Sequence, residues 1–140
     1  CICDVSKERR TMDKIRNNFE EIYPAGPTYV RGIRTGDTLY ISGTTARNSE
    51  AQCGSPMSQL RVVLGRIVSM VESEGGTSSD IVKITTYVTD RSHWWPIKGE
   101  QVEIFEEFFK GEYPTNSVIE VSGLLQDGLH VEIEAIAVLD

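Results

Sequence analysis

"YPTNSVIEVSGLLQDGLHVEIEAIAVLD", Tyr113 to Asp140, is the stretch on which the reading of this chain turns. It reads as two strands joined by a short glycine-bearing connection. Polar residues stand inside those runs, at Asn116, Glu120, His130, Glu132 and Glu134. Successive side chains of a strand point to opposite faces. Such residues are tolerated if the sheet has one face on the core and one face left free of helices.

The segments upstream supply that sheet. "DIVKITTYVTD" (Asp80 to Asp90) is β-branched and alternating, with Val82, Ile84 and Val88 on one face and Lys83, Thr85 and Tyr87 on the other. "TYVRGIRTGDTLYISGTT" places two extended runs around Thr35-Gly36-Asp37, the signature of a hairpin. Ser55-Pro56 opens a helix as N-cap and first-turn proline, and Leu60, Val63, Leu64, Ile67, Met70 and Val71 form its apolar stripe up to Gly75-Gly76. "EQVEIFEEFFK" is a second helix, apolar at Val102, Phe105 and Phe109. Residues 6–22 carry Met12, Ile15, Phe19 and Ile22 at offsets of three, four and three, which predicts a further amphipathic helix before the break at Tyr23–Pro27. The order is β-β-α-β-α-β-β after an N-terminal helix. It predicts an α+β protein with two helices on one face of a single sheet, the other face meeting water or another subunit.

Composition narrows the function. At 140 residues the chain is one domain by size. Its net charge of −7 opposes general binding to a phosphate backbone, so no nucleic-acid partner is expected. No apolar run approaches the roughly 20 residues of a membrane span. Cys1, Cys3 and Cys53 are an odd set without zinc-type spacing, as in a reduced cytoplasmic protein. Two histidines give a metal site no support, and without a phosphate loop or dinucleotide-type glycine pattern no cofactor is expected.

Four segments in order, "GDTLYISGTT", "DIVKITTYVTD", "FEEFFKGEYPTNSVIEVSGL" and "VEIEAIAVLD", resemble the Rid family of YjgF-type proteins, the reactive-intermediate imine deaminases formerly described as translation inhibitors or endoribonucleases. The resemblance runs from about Thr28 to the end. Residues 1–27 are accordingly read as an N-terminal helical extension and 28–140 as the Rid-type domain. It implies a chorismate-mutase-like fold and a homotrimer with clefts between subunits. There, enamines and imines such as 2-aminoacrylate are hydrolysed to a keto acid and ammonia, with an arginine holding the substrate carboxylate. By position, Tyr29 matches the family's N-terminal site tyrosine. Ser42 and Gly43 match the strand-end pair lining the cleft, Tyr87 an aromatic of its wall, and Glu132 the glutamate that positions water.

The chain departs from the pattern where the family has its arginine, which is Asn116 here, and at Val118, a position often held by cysteine. Asn116 offers amide donors and an acceptor but no charge. Arg31, two residues from Tyr29, points to the same side if no bulge intervenes, and is expected to supply the missing cation; the alternative is a solvated strand arginine. Glu132 is the candidate catalytic group, as general base or acceptor for water. The Trp94-Trp95 pair is read either as one packed and one exposed ring or as an aromatic gate selecting a larger substrate. The resulting expectation is an imine or enamine hydrolase of altered specificity acting on a small molecule, a carboxylate among the candidates. The alternatives are a ligand- or partner-binding trimer without catalysis and, disfavoured by charge, an endoribonuclease.

Overall fold

The computed structural model describes residues 13–140. Six strands form one mixed sheet: β1 (Ile15–Asn17), β2 (Gly32–Thr35), β3 (Thr38–Thr44), β4 (Ile81–Val88), β5 (Thr115–Glu120) and β6 (Val131–Val138). Their order across the sheet is β1-β2-β3-β6-β4-β5. Helices α1 (Pro56–Ser73) and α2 (Glu100–Phe109) both pack on one face. The two strands of the C-terminal stretch are therefore not neighbours. β4 lies between them, and β5 pairs with β4 in parallel.

The patterning explains this layout. Leu39 and Ile41 of β3, Ile84 and Val88 of β4, and Ile133, Ala135 and Ala137 of β6 are buried on the helix face. They meet Leu60, Leu64, Ile67, Met70 and Val71 of α1 and Ile104 and Phe109 of α2. Ser55 caps α1 by accepting a hydrogen bond from the Ser58 amide, with Pro56 in the first turn. The β2–β3 hairpin turns through Gly36 at φ 58°, a left-handed conformation that glycine adopts without a Cβ penalty. Val82, expected in the core, is 43% exposed, because a register shift between Ile81 and Lys83 turns it outward.

The expected N-terminal helix is not found in the described part of its range; residues 6–12 lie outside the described residues. Ile15–Asn17 is a strand paired with β2, and Ile15 is 59% exposed. Asn17 and Asn18 are the physical reason. The Asn17 side chain accepts from the Phe19 amide, and the Asn18 side chain accepts from the Arg31 amide. The Asn17 bond is of the local kind that competes with helix formation, while Asn18 ties the segment to the chain entering β2. Phe19 turns to φ 47° and enters the core together with Tyr23, so this segment joins the sheet through β1 and the core through these two side chains.

Candidate functional site

The free face of the sheet carries Tyr40, Thr85, Tyr87, Glu132 and Glu134. In the ladder Tyr87 stands opposite Glu132 and Thr85 opposite Glu134. No helix covers this face among the described residues. Its focal point is an irregularity in β3. Ile41 pairs with Ala135 and Thr44 with Ile133, so Ser42 and Gly43 together oppose Glu134. One extra residue on one strand is a β-bulge, which kinks the strand and re-aims its groups. The Glu132 carboxyl fills the space opened by the bulge. A Cβ placed on Gly43 would lie 2.9 Å from both Cδ and Oε2 of Glu132, so glycine is what permits this approach.

Arg31 holds the bulge from behind. It precedes β2 and is fully buried. Its Nε donates to the Tyr23 carbonyl at 2.9 Å, and Nη1 donates to the Gly43 carbonyl at 2.6 Å and the Ser42 carbonyl at 3.4 Å. Nη2 donates to the Tyr29 hydroxyl at 3.3 Å. The guanidinium also stacks 4.3 Å from the Tyr23 ring centroid. Arg31 is thus neither a solvated strand arginine nor a cation open to ligand. Its donors are directed at backbone, and Tyr29 lies over it. The expectation that it contacts a carboxylate directly is corrected: its role here is to fix the Ser42-Gly43 backbone and to place a positive charge behind the site.

Glu132 is half-buried. Burial pushes its carboxyl above the ordinary range, the Glu134 charge adds to this, and the Arg31 charge opposes both. Glu134, to which the sequence reading gave no role, accepts from the Tyr87 hydroxyl at 3.0 Å. That bond raises the Tyr87 pKa. The period-two spacing of the two glutamates was the signal that they share a face. Tyr87 and Glu132 border an open hollow of about 220 Å³ also lined by Val121 and Leu124–Leu125. A second hollow holds Tyr29 beside Ser42, whose hydroxyl donates to the Val30 carbonyl.

The structure does not bring Asn116 and Val118 to this place. β5 is an edge strand with every residue exposed. Asn116 aligns with Ile84 and Val118 with Thr86, both residues of the helix face. The Thr86 hydroxyl donates to the Asn116 carbonyl oxygen at 2.9 Å. Asn116 lines a largely apolar hollow of about 380 Å³ with Gln101, Val102 and Phe105 of α2 and Ile97 and Tyr113. Within one protomer the matched positions therefore fall into two groups on opposite faces. Ser42, Gly43, Tyr87 and Glu132 form the first, with Tyr29 and the buried Arg31 adjoining it at the bulge, and Asn116 and Val118 the second. Trp94 is buried and Trp95 is 71% exposed, the packed-and-exposed arrangement. Neither borders the Glu132 hollow.

Comparison with known proteins agrees with this architecture. Residues 19–139 match the family model described as Endoribonuclease L-PSP. A RutC family protein of Pyrococcus horikoshii is 33% identical over 117 residues, covering 81% of this chain and 88% of the relative. The crystal structure of a Mycobacterium tuberculosis member of the YjgF/YER057c/UK114 family superposes with a TM-score of 0.70 at 30% identity, covering 91% of this chain and all of that one. That of RidA from an Antarctic Psychrobacter superposes with a TM-score of 0.69 at 29% identity, covering 82% and 91%. With the sheet order, the two helices on one face and the bulge at Ser42-Gly43 in place, the chain belongs to the Endoribonuclease L-PSP family, the Rid group of YjgF- and RidA-type proteins.

Proposed function

We propose that this protein is an imine or enamine hydrolase of altered substrate specificity, working in clefts between the subunits of a homotrimer. The observation that carries the reading is the Glu132 carboxyl, half-buried against Gly43 at the edge of a hollow and held above its ordinary pKa. Such a group exchanges protons closer to neutral pH than a solvated glutamate does.

The reaction asks little more of the protein. The imine enters protonated on nitrogen (an enamine first takes a proton on carbon). Glu132 takes a proton from water as the oxygen bonds to the C=N carbon, giving a carbinolamine. The proton Glu132 took returns to the carbinolamine nitrogen. As the C–N bond breaks and C=O forms, Glu132 accepts the hydroxyl proton, ammonia leaves, and that proton passes to solvent. No redox partner is required. The two groups on opposite faces support the inter-subunit cleft: a neighbouring copy that presents Asn116 and Val118 to the Glu132 hollow would complete a wall that one protomer lacks. Asn116, neutral and hydrogen-bonded to Thr86, suits a substrate bearing less charge at that point than a carboxylate.

The test is ammonia and keto-acid release from imines generated in situ by an amino-acid oxidase. Wild type should accelerate it, and Glu132→Gln should lose about 10²- to 10⁴-fold, the span of general acid–base catalysis. Ligand-induced thermal stabilisation without turnover across several imines would instead identify a binding protein. Sedimentation equilibrium should give a trimer, and a stable monomer at micromolar concentration would remove the inter-subunit cleft.

A further inference from the structure

Tyr23 collects positive charge. The guanidinium carbons of Arg31, Arg66 and Arg47 lie 4.3, 4.2 and 5.3 Å from its ring centroid. No two of them can then be more than about 10 Å apart, comparable with the screening length of about 10 Å in 0.1 M salt, and partly buried charges are screened less than that. Among the described residues, no carboxylate comes within salt-bridge distance of any of the three. In a chain with 21 acidic residues against 14 basic ones, a cluster of three arginines whose only carboxylate influence is the longer-range one of Glu132 on Arg31 is conspicuous among the described residues. Burial lowers the Arg66 pKa, Tyr23 opposes this, and the charges of Arg31 and Arg47 add to the lowering.

The three arginines differ in what they still offer. Arg31 is sealed, its donors directed at carbonyls and at Tyr29. Arg66 uses Nη1 on the Thr45 carbonyl at 2.6 Å. Arg47 uses none of its side-chain donors on any described residue, and its buried Nε has no hydrogen-bond partner. An unpaired buried donor is costly, and the two terminal nitrogens of a guanidinium are spaced for two oxygens of one oxyanion. Arg66 comes from α1 on the helix face, whereas Glu132 lies on the free face, so this is not the hollow described above.

We propose that Arg47 and Arg66 form a binding site for an oxyanion, a carboxylate or phosphate group, with Tyr23 as its platform and Arg31 as the fixed charge behind it. The proposal goes beyond the hydrolase reading and does not depend on it. Isothermal titration calorimetry of the full chain decides it, with inorganic phosphate and with succinate in separate arms at constant ionic strength. Binding in either arm, weakened about tenfold or more in Arg47→Gln and unchanged in Glu132→Gln, is the expected result. The arm that responds identifies the anion class. Arg47→Gln is the decisive variant because it removes no hydrogen bond of the folded chain; Arg66→Gln is the second, provided its melting curve shows it folded. Absence of binding at millimolar concentration in both arms would overturn the site, as would binding that Arg47→Gln leaves intact. Because the readout is binding, loss of imine turnover in a separate assay would leave this result untouched.

Discussion

Gly43→Ala tests the site with a single methyl group. The backbone at Gly43 is not in the left-handed region, so alanine meets no conformational penalty there. The added Cβ would sit 2.9 Å from Glu132 Cδ and Oε2, against about 3.5 to 4.0 Å for relaxed contact. The carboxyl must therefore retreat by about 0.5 to 1 Å. It is the far end of a flexible side chain, so the cost to stability is that of an off-rotamer torsion, about 0.5 to 1.5 kcal/mol. The lower chain entropy of unfolded alanine offsets about 0.4 to 1 kcal/mol of this. Stability should change by less than about 1 kcal/mol, a few degrees in Tm. Turnover is another matter, since a 1 Å misplacement of a reacting group costs on the order of 10²-fold. The assay pairs a thermal melt with imine hydrolysis on the same sample. Unchanged turnover in a stably folded Gly43→Ala protein would show that the position of the Glu132 carboxyl does not matter, and the mechanism would fall with it.

Three further outcomes follow from the same contacts. Glu132→Gln should stabilise the fold at neutral pH and above: with the folded pKa raised, stability is fully present below the unfolded value of about 4.3 and falls as pH rises through the folded one. The Tm difference from wild type should thus vanish near pH 4, and a difference that is constant with pH would contradict the burial argument. Arg31→Met should destabilise by about 3 kcal/mol or more in urea unfolding, because it leaves the Tyr23 and Gly43 carbonyls without their donor; a loss below 1 kcal/mol would mean that water replaces the guanidinium. Gly128→Ala should also cost more than about 2 kcal/mol, since Gly128 has φ 81° and a Cβ there would strike Cys53 Sγ. Cys53→Ala in that background should recover only part of the loss, because the Cys53 backbone lies 3.1 Å from the same point.

The sheet and both helices were legible because their signals are local and repeated: alternation in β4 and β6, and an unbroken apolar stripe with its cap in α1. The N-terminal segment misled because four apolar residues at helical offsets carry little weight against Asn17, which bonds the backbone two residues on, and Asn18, which bonds the backbone at Arg31. The site was legible only in part. Glu132 and Gly43 could be matched by position, but their contact depends on a bulge, and one extra residue in a strand leaves no mark on composition. The same kind of shift put Val82 outside the core. Arg31 was assigned its side by strand parity, yet it precedes the strand, so parity did not govern it. Tyr23 gave no signal, because its partners come from positions 31, 47 and 66, brought together by the fold alone.

The placement of Asn116 and Glu132 on opposite faces of one sheet has a consequence for symmetry. Suppose the helix-side surface at β5 of one copy completes the free face of the next. A two-fold pair cannot satisfy both surfaces, because a copy lying above the first presents its completing surface on one side only. The contact is head-to-tail, and every copy has one surface left over until the chain of contacts returns to its start. Such an arrangement either closes into a ring or grows without limit, and the smallest ring that can close in this way has three members. Each site is then made by two copies and each copy serves two sites, so site number equals subunit number. A dissociated subunit would retain Glu132, its bulge and its charge, but no complete wall around them.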